Sequence, residues 1–295
     1  MNIGEKIKKL RGEKLMTQSE LAGTAITRNM LSTIENGTAL PSLATLRHIA
    51  SKLNVPAGYL LADGEEEMIY LKLSQISNIK NAYLSGHFKI CRDMCLKCEL
   101  ERDDEINLIL AECSLALGIE RFNEGYLRHA CAYFDEAIST ASETIYNTEH
   151  ISAVSAVYFR YMRRISATLS SDMIDEADTE IFAAISEDFA RYAVAFEALE
   201  EKNIEVSEHF ISKFDDNEPY FLHIRARIDM LYENYAEAYK KLYLILTNPY
   251  KIQEPLMYFV FCDLEVCCKE IKDFKGAYEH SNNKIETLQK MLTDN

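Results

Sequence analysis

The sequence predicts an all-α protein, and three observations favour this fold class. Only 10 Gly and 5 Pro interrupt the 295 residues, so the chain has few of the residues that break helices and form turns. Apolar residues recur at helical spacing, and helix-capping residues precede several of these stretches. Large and small residues also alternate in a pattern that recurs along most of the chain, as in arrays of paired helices. We expect one small helical domain followed by a longer helical array.

The charge of the chain is divided unevenly. Residues 1–64 hold eight Lys or Arg and five acidic residues, for a net charge of +3, whereas the remainder carries −18. A basic head on an acidic body suggests that the head meets nucleic-acid phosphates and the body meets something else.

The N-terminus, the length of the apolar runs and the cysteines indicate the cellular compartment. The N-terminus lacks the apolar stretch and cleavage site of a signal peptide, and no apolar run approaches the roughly 18 residues that cross a bilayer. Eight cysteines in an unexported chain should be reduced thiols. We therefore expect a cytoplasmic protein without a membrane partner.

The first 64 residues are predicted to form five helices. Ile3, Ile7 and Leu10 share one face of the first helix, and Lys6 is expected on the opposite, exposed face. Thr17 caps a helix from Gln18 to about Ala22, and Thr27 caps the next, from Arg28 to Asn36. A fourth helix starts at Pro41-Ser42 and a fifth at Pro56.

This stretch resembles the Cro/cI-type (Xre-like) helix-turn-helix. The resemblance is carried by Thr17-Gln18-x-x-Leu21-Ala22, Ile26-Thr27-x-x-x-Leu31-Ser32-x-Ile34-Glu35-Asn36-Gly37 and Pro41-Ser42-x-x-Thr45-Leu46. The turn between the two central helices is one residue shorter than is usual in the family. The resemblance predicts a DNA-binding domain at residues 1–64.

Base reading is assigned to the start of the second central helix, which enters the major groove in such domains. Arg28, Asn29 and Thr33 are predicted to reach base edges, since Arg suits guanine and Asn suits adenine. The resemblance implies that Gln18 holds one phosphate and that Asn36 or Thr38 holds another. The full predicted DNA-binding set is Thr17, Gln18, Thr27, Arg28, Asn29, Ser32, Thr33, Asn36 and Thr38. The alternative is a helical domain whose polar surface residues are merely solvated.

Residues 65–295 carry a recurring triplet: a large apolar residue, a small residue three later, and another residue four after that. The triplets are Phe88/Cys91/Cys95, Leu127/Ala130/Phe134, Ile174/Ala177/Ile181, Ile204/Ser207/Ile211, Tyr235/Ala238/Leu242 and Phe274/Ala277/Ser281. The spacing suits a two-helix unit of about 34 residues with variable loops. The unit that begins at Leu117-Gly118 resembles the tetratricopeptide repeat, so we expect a tetratricopeptide-like α-solenoid. A generic helical bundle is the alternative.

A solenoid of this kind presents the first helix of each pair on a concave wall. The predicted wall includes Glu112, Phe122, Tyr192, Phe196, Tyr220, His223, Arg227, Phe259 and Cys262. Its mixture of aromatic and polar side chains suits a short peptide. The predicted peptide-binding residues are Tyr192, Phe196, Tyr220, His223, Arg227 and Phe259. The alternative is that these aromatics pack between repeats.

Arginines stand out in the acidic body. Arg160, Arg163, Arg164, Arg191, Arg225 and Arg227 suit carboxylates, including the C-terminus of a peptide. Pairing within the chain is an equally good explanation.

Metal binding and catalysis are not expected. Cys91, Cys95 and Cys98 stand near His87, but no second Cys/His pair with zinc-like spacing accompanies them. The sequence has no phosphate loop, nucleophile elbow or HExxH motif. We expect a protein that is not an enzyme and has no cofactor.

A Cro/cI-type head followed by tetratricopeptide-like repeats resembles the RRNPP family, which includes the Rgg-like and PlcR-like regulators. The resemblance implies a homodimeric transcription regulator that binds a double-stranded DNA operator and is controlled by a short signalling peptide in its repeats. The alternative is a regulator whose repeats act only as a dimerisation or protein-docking scaffold.

Overall fold

The computed structural model describes residues 2–97, 102–169, 188–248 and 252–293. Over these ranges the secondary structure consists of sixteen helices, which confirms the predicted all-α class. The chain divides into two compact units, residues 1–81 and residues 82–295. Within the described residues, no helix is both long enough and apolar enough to cross a membrane.

The first unit contains five short helices and most of a longer one. They are α1 (Ile3–Glu13), α2 (Gln18–Ala22), α3 (Arg28–Glu35), α4 (Leu43–Leu53), α5 (Ala57–Leu61) and α6 (Gly64–Leu84), the last of which continues into the second unit. The first five agree with the predicted helices. Their apolar faces meet in one core around Ile7, Leu31 and Ile49, each fully buried.

Polar caps fix where these helices begin. The side chains of Asn2, Thr17, Thr27 and Ser42 each accept a hydrogen bond from a backbone N–H in the first turn of the following helix. Each cap satisfies one of the N–H groups that a helix start leaves unpaired. At α2 the predicted Thr17 cap is part of a complete capping box, because the Glu20 carboxylate also accepts a hydrogen bond from the Thr17 backbone N–H at 2.7 Å.

Lys6 corrects one expectation, because its side chain is 1% exposed and does not lie on an open helix face. Its ammonium group donates to the carbonyl oxygen of Ala62 and lies 3.0 Å from the Glu67 carboxylate. The ring of Tyr59 lies beneath it, with its centroid 5.4 Å from Nζ. A buried ammonium group needs such partners, and here they fasten α1 to the end of α5 and the start of α6.

The described residues of the second unit form ten further helices. They are α7 (Phe88–Leu96), α8 (Asp104–Asn123), α9 (Leu127–Ala141), α10 (Glu149–Ile165), α11 (Asp188–Glu200), α12 (Ile204–Ile211), α13 (Pro219–Leu231), α14 (Tyr235–Leu246), α15 (Glu254–Glu270) and α16 (Phe274–Leu292). Helices that are consecutive in sequence pack on one another, most extensively as the pairs α8/α9, α11/α12, α13/α14 and α15/α16.

The recurring triplets mark the second helix of each described pair. Their first residues, Phe88, Leu127, Ile204, Tyr235 and Phe274, are also the first residues of α7, α9, α12, α14 and α16. Their small residues, Cys91, Ala130, Ser207, Ala238 and Ala277, are all buried. The triplet Ile174/Ala177/Ile181 lies outside the described residues. The predicted tetratricopeptide-like array is therefore confirmed where the structure describes it.

One three-residue turn recurs within the pairs. It occupies 85–87, 124–126, 201–203, 232–234 and 271–273, and its middle residue has a left-handed backbone, with φ between +60° and +86°. In each turn the third residue donates its N–H to the carbonyl five residues earlier, as Asp273 does to Cys268 at 2.8 Å. These bonds satisfy carbonyls that the end of a helix leaves unpaired.

The second unit is curved, so that helices far apart in sequence contact each other. The helix α8 packs against α15, and α9 packs against α16. The interior of this curl is filled by aromatic rings, among them Tyr158, Tyr161, Tyr192 and Phe196, all 0–2% exposed. The centroids of neighbouring rings lie 4.5–6.3 Å apart, distances typical of attractive aromatic pairs. The concave side of the array is therefore part of the hydrophobic core.

Candidate functional site

The start of α3 presents two side chains to solvent on a fixed backbone. The Thr27 hydroxyl accepts a hydrogen bond from the Met30 N–H at 3.1 Å, and Leu31 and Ile34 are buried in the core. Because these contacts fix the phase of the helix, Arg28 and Asn29 point outward and are exposed. The structure therefore places Arg28 and Asn29, two of the three predicted base-reading residues, together at the N-terminus of α3.

A buried ion pair holds α3 against the helices before it. The Arg11 Nε and Nη2 atoms donate to the two carboxylate oxygens of Glu35 at 2.7 and 3.0 Å. Gln18 Nε2 donates to the same carboxylate at 2.8 Å. Burial raises the pKa of Glu35, but the hydrogen bonds from Arg11 and Gln18 outweigh burial and leave the pKa below its ordinary value. The network joins α1, α2 and α3 around one ionised carboxylate.

This network gives Gln18 a positioning role that the sequence did not indicate. Its amide was predicted to hold a DNA phosphate, and in the structure one of its N–H groups is directed at Glu35. A second N–H of the same amide and the backbone at the start of α2 stay as possible phosphate donors, so that contact stays a prediction. Glu35 itself was missed. The signal was an acidic residue directly after the inward-facing Ile34.

The nine predicted DNA-binding residues lie on the surface to different degrees. Gln18 and Ser32 are half-buried, and the other seven are exposed: Thr17, Thr27, Arg28, Asn29, Thr33, Asn36 and Thr38. Several hydroxyls are already engaged. Thr33 donates to the Met30 carbonyl at 2.8 Å, and Thr38 donates to the Thr33 carbonyl at 2.9 Å. Arg28 and Asn29 have the side-chain donors best placed for base edges.

In the second unit, which contains the repeats, the predicted peptide-binding residues surround a chain of buried, hydrogen-bonded polar groups. The hydroxyl oxygens of Tyr161 and Tyr192 lie 3.3 Å apart, and the Tyr192 hydroxyl lies 2.8 Å from His223 Nδ1. His223 Nε2 lies 3.0 Å from an Asp263 carboxylate oxygen, and Arg227 Nε lies 3.2 Å from the same oxygen. The chain crosses α10, α11, α13 and α15.

The charge states within this chain follow from burial and partners. Burial lowers the pKa of His223, and the bond to Asp263 opposes this only in part, so the imidazole is neutral. Burial raises the pKa of Asp263, but the Arg227 charge and the His223 hydrogen bond outweigh burial and lower the pKa. An ionised carboxylate only accepts, so His223 Nε2 carries the proton. Nδ1 then accepts from the Tyr192 hydroxyl.

The expected exposure of the peptide-binding residues needs correction. Tyr192, Phe196 and His223 are 0% exposed and Phe259 is 9% exposed, because the inner faces of the helices meet in the curled array. Phe196 packs against Phe259, with ring centroids 4.8 Å apart. Only Tyr220 and Arg227 of the six are half-buried. These residues thus line a filled interior, and their role in peptide binding stays a prediction.

Tyr161 and Asp263 complete this cluster and were not singled out from the sequence. Tyr161 follows Arg160 on α10, among arginines that attracted attention for their charge. Asp263 interrupts the apolar run from Leu256 to Leu264. A lone acid at helical spacing within such a run is the signal that could have found it.

Five of the arginines singled out in the acidic body form ion pairs within the chain. Arg191 contacts Asp188, and Arg225 contacts Glu208. Arg160 and Arg164 both contact Glu197. Arg227 lies against Asp263, with its guanidinium carbon 4.2 Å from the Phe196 ring centroid. Internal pairing, one of the two explanations left open by the sequence, is the arrangement in the structure.

Comparison with known proteins identifies the first unit. Residues 4–67 match the family described as "Helix-turn-helix domain". Residues 4–67 are a helix-turn-helix domain. An immunity repressor protein of Bacillus phage phi105 is 37% identical over 70 residues, which cover 23% of this chain and 47% of the repressor. The match thus spans about half the length of that relative, and it confirms the predicted Cro/cI-type head.

Two solved structures align along nearly the whole chain at low similarity. Bacillus thuringiensis PlcR, in complex with the peptide PapR7 and DNA, is 14% identical, with 99% of both chains covered and a TM-score of 0.24. ComR from S. thermophilus, in complex with DNA and its signalling peptide ComS, is 15% identical. That alignment covers 97% of this chain and 99% of ComR, also with a TM-score of 0.24.

Proposed function

We propose that this protein is a transcription regulator that reads operator DNA with the start of α3. The observation that carries the proposal is the exposed pair Arg28 and Asn29 at the N-terminus of a capped, core-anchored helix of a helix-turn-helix domain. In such domains this segment enters the major groove. Arg28 is suited to the two acceptors of guanine, and Asn29 to the donor and acceptor of adenine.

The functional unit is proposed to be a homodimer held through the repeats, so that two heads read two half-sites. A net charge of +3 on residues 1–64 gives only modest attraction to phosphates, so one head alone binds weakly. Selection of bound sequences from random duplex DNA tests this. We expect a site with two related halves, one helical turn or a multiple apart. Failure to enrich any sequence would contradict the proposal.

The repeat unit is proposed to receive a short peptide, as the resemblance to the RRNPP family implies. Support comes from the placement of Tyr192, His223 and Arg227 in one continuous cluster that joins α11, α13 and α15. A peptide that reaches the buried rings must separate these helices, whereas Tyr220 and Arg227 are only half-buried and keep part of their surface in solvent. Binding among the buried rings or at the half-buried residues changes the contacts between neighbouring repeats. Small rotations of each repeat then add up along the array.

A second candidate is a scaffold in which the repeats only dimerise or dock another protein. The observation that favours it is the interior itself, which the protein fills with its own rings, such as Tyr161, Phe196 and Phe259. Thermal unfolding separates the two candidates, because a ligand of the folded state raises the unfolding temperature. Stabilisation by short peptides supports a receptor, and stabilisation by folded proteins alone supports a scaffold.

A further inference from the structure

The helix α16 carries an apolar stripe that is open to solvent. Phe274 is 71% exposed, Tyr278 is 68% exposed and Ile285 is 47% exposed. The terminal repeat of a soluble array usually has a polar outer face, because no further repeat covers it. The helix α16 is the last one that the structure describes, and its outer face departs from this rule.

The helix α14 shows what such a stripe packs against. Tyr235, Tyr239 and Leu246 lie 39 residues before the three exposed residues of α16, at the same positions of the repeat. These three side chains are partly buried against the core. The ring centroid of Tyr239 lies 6.4 Å from that of His280 on α16. The stripe of α14 is thus covered by a helix of the next pair, and α16 presents the same kind of surface uncovered.

The spacing of the stripe on α16 is that of a coiled-coil seam. Its residues follow one another at alternating intervals of four and three, the spacing at which two helices pack along their length. They are Phe274, Tyr278, Ser281, Ile285, Leu288 and Leu292. Ser281, Leu288 and Leu292 are half-buried. The surface is therefore suited to one further helix.

An antiparallel copy of α16 complements this seam. In that pairing Phe274 lies opposite Leu292 of the second copy, and Tyr278 lies opposite Leu288 of the second copy. Ser281, the one small residue of the seam, lies opposite Ile285 of the second copy, whereas a parallel pairing would place serine against serine. Antiparallel helices also set their macrodipoles against each other, which is favourable.

The charges at the edge of the seam permit this approach. Residues 65–295 carry a net charge of −18, and a net charge of this kind keeps molecules apart. The open edge of the seam holds Lys275, Asn282 and Gln289 and no acidic residue. In the antiparallel pairing Lys275 lies opposite a glutamine, and Asn282 lies opposite its own copy. No like charges therefore meet along this edge.

The exposed area sets the strength of the contact. A large side chain buries on the order of 200 Å², so the three exposed residues offer roughly 400 Å² in each copy and about 800 Å² in total. Stable interfaces bury about 1,200–2,000 Å². The contact is therefore expected to be weak and concentration-dependent. Simultaneous binding of two heads to one DNA site strengthens such a contact.

We propose that α16 is the surface through which two copies of this chain associate, stripe against stripe and antiparallel. The inference rests on the proposed homodimer and names the residues that hold it together. Both copies use the same surface, so the contact is complete with two copies and leaves no stripe open for a third.

Sedimentation equilibrium of the full chain at increasing concentration tests the contact. We expect Tyr278→Ser/Ile285→Ser to raise the dissociation constant of the dimer at least about tenfold. The matched control is Ile145→Ser/Tyr146→Ser, which makes the same two replacements at exposed residues after α9 and should behave like the wild type. Phe274→Lys is a second variant if the α16 double variant does not fold.

Cross-linking with a short bis-maleimide tests the orientation. We expect Asn282→Cys to form a covalent dimer, because the two copies of this residue face each other across the two-fold axis. The control Lys275→Cys should give only the background of the wild-type thiols, since its two copies lie more than about 20 Å apart along the paired helices. Cross-linking of Lys275→Cys in place of Asn282→Cys would overturn the antiparallel arrangement.

The outcomes separate this surface from the proposed homodimer. If the α16 variant and its control dimerise as the wild type does, the α16 contact is overturned while a homodimer stands. If the wild type stays a monomer at every concentration and on DNA with two half-sites, the contact and the homodimer fail together. The stripe then belongs to a different protein partner, and base reading by α3 is unaffected.

Discussion

His223 is a neutral imidazole held between a phenol and a carboxylate. The unfolded chain protonates this histidine near its ordinary pKa of 6.5, whereas the buried side chain has a lowered pKa. Between these two values the unfolded state binds more protons than the folded state, so the free energy of unfolding decreases as the pH falls. We expect the unfolding temperature to decrease from pH 7.5 to 5.5.

Replacement of His223 tests this origin of the pH dependence. His223→Gln cannot be protonated and loses part of the hydrogen bonding to Tyr192 and Asp263. At pH 7.5 we expect the free energy of unfolding of the variant to be about 1–3 kcal/mol lower than that of the wild type, so the variant unfolds at a lower temperature. On acidification we expect its unfolding temperature to decrease less than that of the wild type. If the unfolding temperature of the variant decreased with pH as steeply as that of the wild type, His223 would not be the origin of the pH dependence. His280, whose pKa is also lowered by burial, contributes to the pH dependence that remains in the variant.

The sequence was informative about local features that a single residue decides. Capping residues such as Thr17 and Thr27 marked the helix starts, and the phase of α3 then placed Arg28 outward. Lys6 was misplaced because its buried partners lie more than fifty residues away, at Tyr59, Ala62 and Glu67. Helical periodicity does not report such long-range pairs.

The repeated three-residue turn is the element that sets the direction of each helix pair. Gly86 and Gly125 supply the left-handed residue in two turns, and Lys202, Glu233 and Lys272 supply it in three others. A residue with a Cβ adopts this backbone only at a cost, which the turn's hydrogen bonds offset. A glycine is a local sequence signal for such a turn, whereas the three turns without glycine carry no such signal.

This cost predicts a stabilising substitution. Lys272 has φ +65°, and we expect Lys272→Gly to raise the free energy of unfolding by about 0.5–1 kcal/mol. Lys272→Ala is the matched control, because it removes the same charged side chain and keeps the Cβ. Urea denaturation of both variants measures the effect. An equal gain in both, or a loss in the glycine variant, would show that the backbone conformation is not the cause.

For the whole molecule, the division into a basic head and an acidic body was predictable from the sequence, but the closure of the repeats was not. The triplets gave the helix pairs and their buried small residues. They did not give the curvature that brings α8 to α15 and buries Phe196 against Phe259. Curvature accumulates from small rotations between neighbouring repeats, and no single repeat contains that information.

In the proposed function, specific DNA binding resides in the helix-turn-helix domain, and α3 reads the bases. The boundary proposed from the sequence was residue 64, and the contacts of Lys6 with Glu67 and of Tyr59 with Tyr70 continue the first unit beyond it. Tests on the full chain therefore avoid exposing these buried groups. A substitution at the start of α3 is the most direct probe.

The test measures the affinity of three proteins for DNA: the wild-type full chain, Arg28→Ala and Arg47→Ala. Each protein is titrated against a selected site and against a scrambled duplex, at two salt concentrations. Both variants lose one exposed arginine, so they share the loss of general attraction to phosphates. We expect Arg28→Ala to lose about 1–3 kcal/mol on the selected site and little on the scrambled duplex. Arg47→Ala is expected to keep its preference for the selected site. An unchanged preference in Arg28→Ala would contradict base reading by α3.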